Sequence, residues 1–196
     1  MWRCTFGLNC LTFYNGGKRS GASQPHKHAQ LVPLPLGSDG TDDSNDSVKY
    51  PPIHPLLEQA WREAGSPSGE IISAKQLPFL HWFSFWDDPS KMTVSSLQSI
   101  YDSLCNKVLN FQQHSPEYVS ADDDEENALH YSLLLTRNFI LIVPRKTDSF
   151  RSISVNSLGF AGSLFVKSPE DFELIKQVGP MNILKYVSYS TGPSNL

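Results

Sequence analysis

Cysteine is scarce in this chain, basic runs are missing and no long apolar stretch occurs. The three cysteines, Cys4, Cys10 and Cys105, stand at irregular spacing in 196 residues. An odd count without a repeat excludes a disulfide framework and implies free thiols in a reducing compartment. No apolar segment reaches the ~20 residues that span a bilayer. Met1 to Cys10, broken by Asn9, is too short and too mixed for a secretory signal. Lys and Arg number 16 against 20 Asp and Glu, for a net charge of −4. Neither a nucleic-acid backbone nor a membrane is therefore expected as partner. The expected location is cytoplasmic, with the nucleus open to it. Composition is otherwise near the globular average, with 39% hydrophobic residues, enough for one sizeable core.

The chain is organised around Asn15 to Pro35. Asn15 to Gln24 is a polar loop with three glycines. His26 to Leu34 reads as a strand, on which side chains alternate between faces. His26, His28 and Gln30 then share one face, and Lys27, Ala29 and Leu31 the other. Three nitrogen-bearing side chains in a row, beside a small-residue loop able to offer backbone N–H groups to an anion, suit nucleotidyl transfer. An imidazole can attack phosphorus and leave again as a neutral group. His28, the central position, is the expected nucleophile. Gln30 would hydrogen-bond a phosphoryl oxygen at any pH, and His26 would orient the site. The Gly21-Ala22-Ser23-Gln24 turn would supply N–H groups to phosphate, and Ser23 a hydroxyl. As metal ligands, His26 and His28 would need further donors. No Cys, Asp or Glu lies close by, so no metal site is expected. As surface histidines on an edge strand they would need no partner.

Gly37 to Asp46, with four aspartates, reads as a solvated loop. Pro55 to Ala64 has helical spacing, with proline near its start, and His54 before it has no assigned role. Gln76 to Trp86 reads as a central, buried strand with Phe79, His81, Phe83 and Phe85 on one face, His81 being a satisfied core histidine. Thr93 to Gln113 is an amphipathic helix capped by Thr93 or Ser95, with Cys105 beside its apolar stripe. Ser115 to Asn127 carries an acidic block and reads as loop. Leu129 to Thr136 and Asn138 to Pro144 are strands, and Arg145 at the second strand's end is a candidate phosphate-side cation, though an exposed arginine there needs no function. In Val155 to Lys167, Gly159 and Gly162 permit close approach to a ligand, Asn156 and Ser157 offer polar tips, and Lys167 a charge; a glycine-containing bend in a sheet stays equally open. Ser168, Pro169 and the acids after them open a helix to Val178. A short helix over Met181 to Val187 follows, with a frayed tail after Ser188.

Tyr14-Asn15-Gly16-Gly17 followed by Ser20 to Gln30 (Ser-Gly-Ala-Ser-Gln-Pro-His-Lys-His-Ala-Gln) resembles the histidine-triad superfamily. The similarity is closest to the branch of diadenosine tetraphosphate phosphorylases, or ATP adenylyltransferases. Tyr131 to Thr136, Val143-Pro144-Arg145, Asn156 to Gly162 and Gly179-Pro180 with Ile183-Leu184 match the same branch. The resemblance implies an α+β fold, a mostly antiparallel sheet with packed helices in the histidine-triad-like manner. Met1 to Cys4 resemble nothing in that branch, whose members carry a longer N-terminal region with a lysine and a serine pair. The chain is thus expected to be incomplete at its N-terminus. Residues 1–50 would be a partial catalytic segment with an acidic loop, 51–75 a connecting helix and linker, 76–190 the C-terminal region on the same sheet, and 191–196 a tail.

Function, as the resemblance implies it, is phosphorolysis of diadenosine tetraphosphate to ATP and ADP, and the reverse, through an adenylyl-His28 intermediate captured by phosphate. The implied nucleotide contacts are Asn15, Gly21 to Gln24, Gln30, Asn156, Ser157, Leu158, Ser163 and Lys167. Ser163 stands where the branch often has Met, which weakens packing on adenine. No covalently bound cofactor is expected, and Mg²⁺ would accompany the nucleotide. The alternatives are a truncated nucleotide-binding remnant without activity and a nucleotidyltransferase acting on sugar phosphates.

Overall fold

A computed structural model describes residues 1–22, 24, 26–36, 50–118 and 128–191. The acidic loop expected over Gly37 to Asp46, the acidic block near residue 124 and residues 192–196 lie outside the described residues. A short helix, α1 (Trp2–Gly7), leads into β1 (Cys10–Gly16) and, through a tight turn at Lys18–Ser20, into β2 (Ala29–Pro33). Helix α2 (His54–Glu63), β3 (Trp82–Phe85) and the long α3 (Val94–His114) follow, then β4 (Tyr131–Leu135) and β5 (Phe139–Pro144). A small ribbon of β6 (Ser149–Phe150) and β7 (Ile153–Ser154) precedes α4 (Ser157–Ala161), α5 (Pro169–Val178) and α6 (Pro180–Val187).

The main sheet has the order β2-β1-β4-β5-β3, with every pair antiparallel. Directly opposed residues share a face. One row therefore runs across all five strands as Gln30, Phe13, Leu134, Leu141 and Phe83. This face is covered by Leu57 and Trp61 of α2, Phe160 of α4 and Ile183 and Val187 of α6. The opposite face, with Tyr131, Leu133 and Ile142, packs on Leu97, Ile100, Leu104 and Val108 of α3 and on Trp2 of α1. Each such fully buried Leu, Ile or Phe contributes roughly 1.5–3 kcal/mol through burial alone. The sheet and helices are the expected α+β arrangement.

Helix signals read as written. Thr93 caps α3 by accepting from the Ser96 N–H at 3.0 Å, and Ser168 caps α5 by accepting from Asp171. Pairing departs from expectation at three places. The strand expected over His26 to Leu34 is formed only over Ala29–Pro33, so both histidines precede it. The aromatic strand expected over Gln76 to Trp86 shrinks to Trp82–Phe85 and lies at the sheet edge, not its centre. Pro78 has no N–H and a fixed φ, and the chain beyond it turns to the C-terminus, where Leu80 N–H donates to the Tyr189 carbonyl at 2.6 Å. Edge strand β3 is still buried, because Ile72 bridges its outer side in both directions at 2.9 Å. That same C-terminal pairing holds Tyr189 and Ser190, so the segment expected to fray after Ser188 is ordered there, with Tyr189 buried.

Candidate functional site

His28 and Gln30 lie at the exposed margin of the sheet, on edge strand β2 and just before it. His26 stands next to His28 with ring centroids 5.9 Å apart and planes nearly perpendicular. Gln30 belongs to the row of Phe13 and Leu134. The register of β1 with β2 ends at Tyr14 and Ala29, so His28 lies one residue before the paired strand. The charge of Lys27 acts weakly on the Cys105 thiol of α3. His26, His28, Gln30, Gln24 and Ala22 are all exposed, and Ser23 lies outside the described residues.

Helix α4 comes onto the Phe13 face of the sheet through Asn15. Its Oδ1 accepts from the Ser157 N–H at 2.8 Å and lies 2.6 Å from the Ser157 hydroxyl, which is also 2.8 Å from the Tyr14 carbonyl oxygen. Asn156 caps α4 by accepting from the Leu158 N–H at 3.0 Å. The segment is thus a short helix and not a bend in a sheet. The first N–H groups of α4 are satisfied within the protein, and Ser157 and Leu158 are buried.

The glycines of that segment meet protein. A Cβ on Gly159 would lie 2.9 Å from Val155 Cγ1, and one on Gly162 2.6 Å from Pro52 Cβ. Their close approach, expected toward a ligand, is toward side chains of the protein, Val155 of the core and the exposed Pro52. Gly21 has φ +79° and closes against the same segment: its Cβ would sit 3.3 Å from the Val155 carbonyl oxygen and 3.7 Å from Asn156 Cα. Asn156, Gly159, Ser163 and Lys167 line a cleft of about 230 Å³, together with Ser152 and Asp171. The two histidines are not among its lining residues; Gly21 closes against Asn156, one of the residues that are.

Arg145 is not the phosphate-side cation expected from its place at a strand end. It is fully buried. Its Nε–H donates to Val187 O at 3.2 Å, Nη1 to Ser20 O at 3.3 Å and Ser132 Oγ at 2.8 Å, and Nη2 to Thr147 O at 2.9 Å and Val155 O at 2.7 Å. Burial pulls the guanidinium down to about 9, which leaves it charged at neutral pH. Its ring neighbour is Phe160, 5.2 Å away. Ser132, unremarked in the sequence, shares a row with Asn15; a lone hydroxyl in the apolar run Tyr131 to Leu135 was the signal that could have found it. His81 is the satisfied core histidine expected: its Nε2 accepts from Ala74 N–H at 2.8 Å, leaving Nδ1–H to donate to Phe79 O at 2.7 Å.

Behind the sheet, Tyr101 and Tyr131 share a hydrogen bond of 2.8 Å. Burial pushes Tyr101 up to about 12 and raises Tyr131 further. These phenols stay neutral in any physiological state and serve packing.

A five-stranded antiparallel sheet flanked by helices, with a histidine pair leading into its edge strand, defines the chain as an α+β protein. The family model described as the ATP adenylyltransferase C-terminal domain matches residues 75–190, and the Ap4A phosphorylase N-terminal domain matches residues 1–59. This chain belongs to the ATP adenylyltransferase (Ap4A phosphorylase) family. The N-terminal match begins at residue 1, so Met1 to Cys4, unlike the family on the sequence reading, fall within it.

Diadenosine 5',5'''-P1,P4-tetraphosphate phosphorylase 2 of Saccharomyces cerevisiae is 28% identical over 173 residues, covering 83% of this chain and 46% of the yeast protein. The crystal structure of yeast Ap4A phosphorylase Apa2 in complex with AMP superimposes with a TM-score of 0.70 at 23% identity, covering 97% of this chain and 60% of that one. The complex of Apa2 with Ap4A gives 0.67 at 22%, covering 92% and 55%. The chain spans about half the length of the relatives it matches. Among the described residues no helix is long and apolar enough to cross a membrane.

Proposed function

We propose that this chain carries out phosphorolysis of diadenosine tetraphosphate to ATP and ADP, and the reverse. His28 attacks the α-phosphorus of one adenosine half, the bond to the bridging oxygen breaks and ATP leaves. Inorganic phosphate then attacks the adenylyl-His28, releasing ADP and the free imidazole. In reverse, ADP adenylylates His28 with loss of phosphate, and ATP captures the adenylyl group. His26 orients the attacking ring. Gln30 and the Gly21–Gln24 turn donate to the phosphoryl oxygens as charge builds on them.

Asn156, Ser163 and Lys167 face the nucleotide from the cleft, while Asn15, Ser157 and Leu158 act as its frame. Mg²⁺ would be held by the polyphosphate oxygens, since the described residues include no group of three or more His, Cys, Asp or Glu suited to a metal. Three free thiols suit the cytosol.

One observation carries the reading. The end of β1, from which the loop leads on toward the histidines, and the segment opened by Asn156 are joined through Asn15 and Ser157, 142 residues apart. The yeast relative named for the phosphorylase and the Apa2 complexes with AMP and Ap4A lend it support.

Adenine-labelled diadenosine tetraphosphate, incubated with the chain and quenched without phosphate, tests it. The expected result is an acid-labile protein label absent in His28→Ala and discharged to ADP by phosphate. A chain that binds the dinucleotide but never takes label would be a nucleotide-binding remnant, the reading favoured by the exposure of His28 and Gln30 at a sheet margin. Label from a uridine-diphosphate sugar alone would mean the sugar-phosphate reaction.

A further inference from the structure

We infer that Arg145 is a positioning residue of the site, fixing the Lys18–Ser20 turn and the residue before Asn156 at one separation. The inference rests on the proposed adenylyl transfer and adds a residue that never touches substrate.

A guanidinium has five N–H donors in a rigid planar fork. In Arg145 all five are spent, on four backbone carbonyl oxygens and the Ser132 hydroxyl. None of these partners is a carboxylate. Asp148 is the one carboxylate whose charge acts on Arg145, without a hydrogen bond, and offsets only part of the cost of burial; an apolar side chain of similar volume would fill the space at less cost. The position is better accounted for by where the five oxygens come from. Ser20 directly precedes Gly21, whose turn supplies the phosphate-facing amides. Val155 directly precedes Asn156. Ser132 lies beside Asn15 in the sheet row. Val187 ends α6 and Thr147 follows β5.

The Ser20 and Val155 contacts span 125 and 10 residues of chain. Asn15 ties the start of the loop to Ser157, and Arg145 ties the Ser20 end of it to Val155. Nη1 takes Ser20 while Nη2 takes Val155, so the fork width sets the gap into which Gly21 fits without a Cβ. A lysine has one nitrogen on a flexible stem and cannot hold both oxygens at that spacing.

The experiment compares Arg145→Met and Arg145→Lys with the unaltered chain. It reads single-turnover adenylyl labelling, the nucleotide concentration at half-saturation, thermal melting, and amide exchange at Gly21 and Ala22. Misplacing the turn by about 1 Å is expected to slow labelling about 100-fold while half-saturation moves less than about threefold. Exchange at Gly21 and Ala22 should quicken about tenfold while amides in α3 hold, and Arg145→Lys should restore less than about a tenth of the rate. Normal labelling and normal turn exchange in both variants would overturn the assignment, as would a rate loss matched by half-saturation. If neither variant folds, Ser132→Ala decides, because it removes one Nη1 acceptor. Labelling slowed at least about threefold at unchanged half-saturation supports the role, and an unchanged rate overturns it. An unaltered chain that takes no label defeats the proposed reaction, and the exchange readout still decides for or against Arg145.

Discussion

The Oδ1 of Asn15 accepts the Ser157 backbone N–H at 2.8 Å and lies 2.6 Å from the Ser157 hydroxyl, joining the end of β1 to the first residue of α4. Ser157 is fully buried, so this oxygen is what replaces water for that N–H. The hydroxyl has one proton for two acceptors, Asn15 Oδ1 and the Tyr14 carbonyl. Asn15→Ala therefore strands a buried N–H and is expected to destabilise the fold by about 1–3 kcal/mol. Ser157→Ala leaves the N–H bond in place and should cost less, about 1 kcal/mol. The double variant should show a coupling of about 0.5–3 kcal/mol in urea unfolding. Strict additivity would mean that the two residues do not hold each other.

Gly21→Ala separates backbone strain from site geometry. Gly21 has φ +79° with the Val155 carbonyl oxygen 3.3 Å from the added methyl group, whereas Gly65 has φ +86° with nothing within 4 Å. Both substitutions force an L-residue into the left-handed region, at about 1–2 kcal/mol each. Only the first should also push the turn away from Asn156, cutting adenylyl labelling at least about tenfold. Equal labelling by Gly21→Ala and Gly65→Ala would show that the turn and the Asn156 segment act independently.

Local rules carried most of the elements. Leu97, Ile100, Leu104 and Val108 recur at helical spacing and do face the sheet, and Thr93 and Ser168 cap where their side chains can reach an N–H three residues on. The sequence reading failed where long-range partners decide. Arg145 ends a strand in a way that fits an exposed cation. It is buried because oxygens from residues 20, 132, 147, 155 and 187 converge on it, and no window of sequence contains them all. Gly159 and Gly162 announce a close approach without saying to what; Val155 and Pro52 supply the answer. Phe79 to Phe85 reads as one strand, yet the chain after Pro78 pairs with the C-terminus, a partner the sequence pattern does not reveal. An edge strand beside His28 was one of the readings the sequence left open; strand order, a property of the whole chain, decides it.

Thiol chemistry should sort the cysteines by burial. Cys4 is exposed, Cys10 is buried and Cys105 is half-buried. Burial is the main cause that raises both Cys10 and Cys105; the hydrogen bonds of Cys105 to Tyr101 and Tyr131 offset part of its rise. The thiolate is the reacting form. Ellman's reagent at neutral pH should therefore take one equivalent quickly and two more than about tenfold more slowly. All three should react at once in denaturant. Three fast thiols in the native chain would contradict the packing of α3 and β1.

Acid should weaken the fold through His81, and the sign follows from its site. Burial, partly offset by the bond to the Phe79 carbonyl, lowers His81 from 6.5 to about 4. The neutral ring is the native form, because Nε2 must accept the Ala74 N–H and a protonated Nε2 would face that donor with a second one. Above pH 6.5 neither native nor unfolded chain binds the proton, and the contribution is complete. As pH falls from 6.5 toward 4 the unfolded chain binds a proton that the native chain refuses, so stability declines; below about 4 both bind it and the decline ends. At about 1.4 kcal/mol per unit of pKa, the loss over the whole window is about 3 kcal/mol. His54, also lowered by burial, acts in the same direction. Urea unfolding of the unaltered chain from about pH 7 to 4, set beside His81→Gln, isolates the share of His81. Gln can still accept the Ala74 N–H but cannot take a proton, so the variant should lose less stability across the window. Parallel curves for the two proteins would mean that His81 titrates alike in both states and that its buried hydrogen-bond pair does not set its charge.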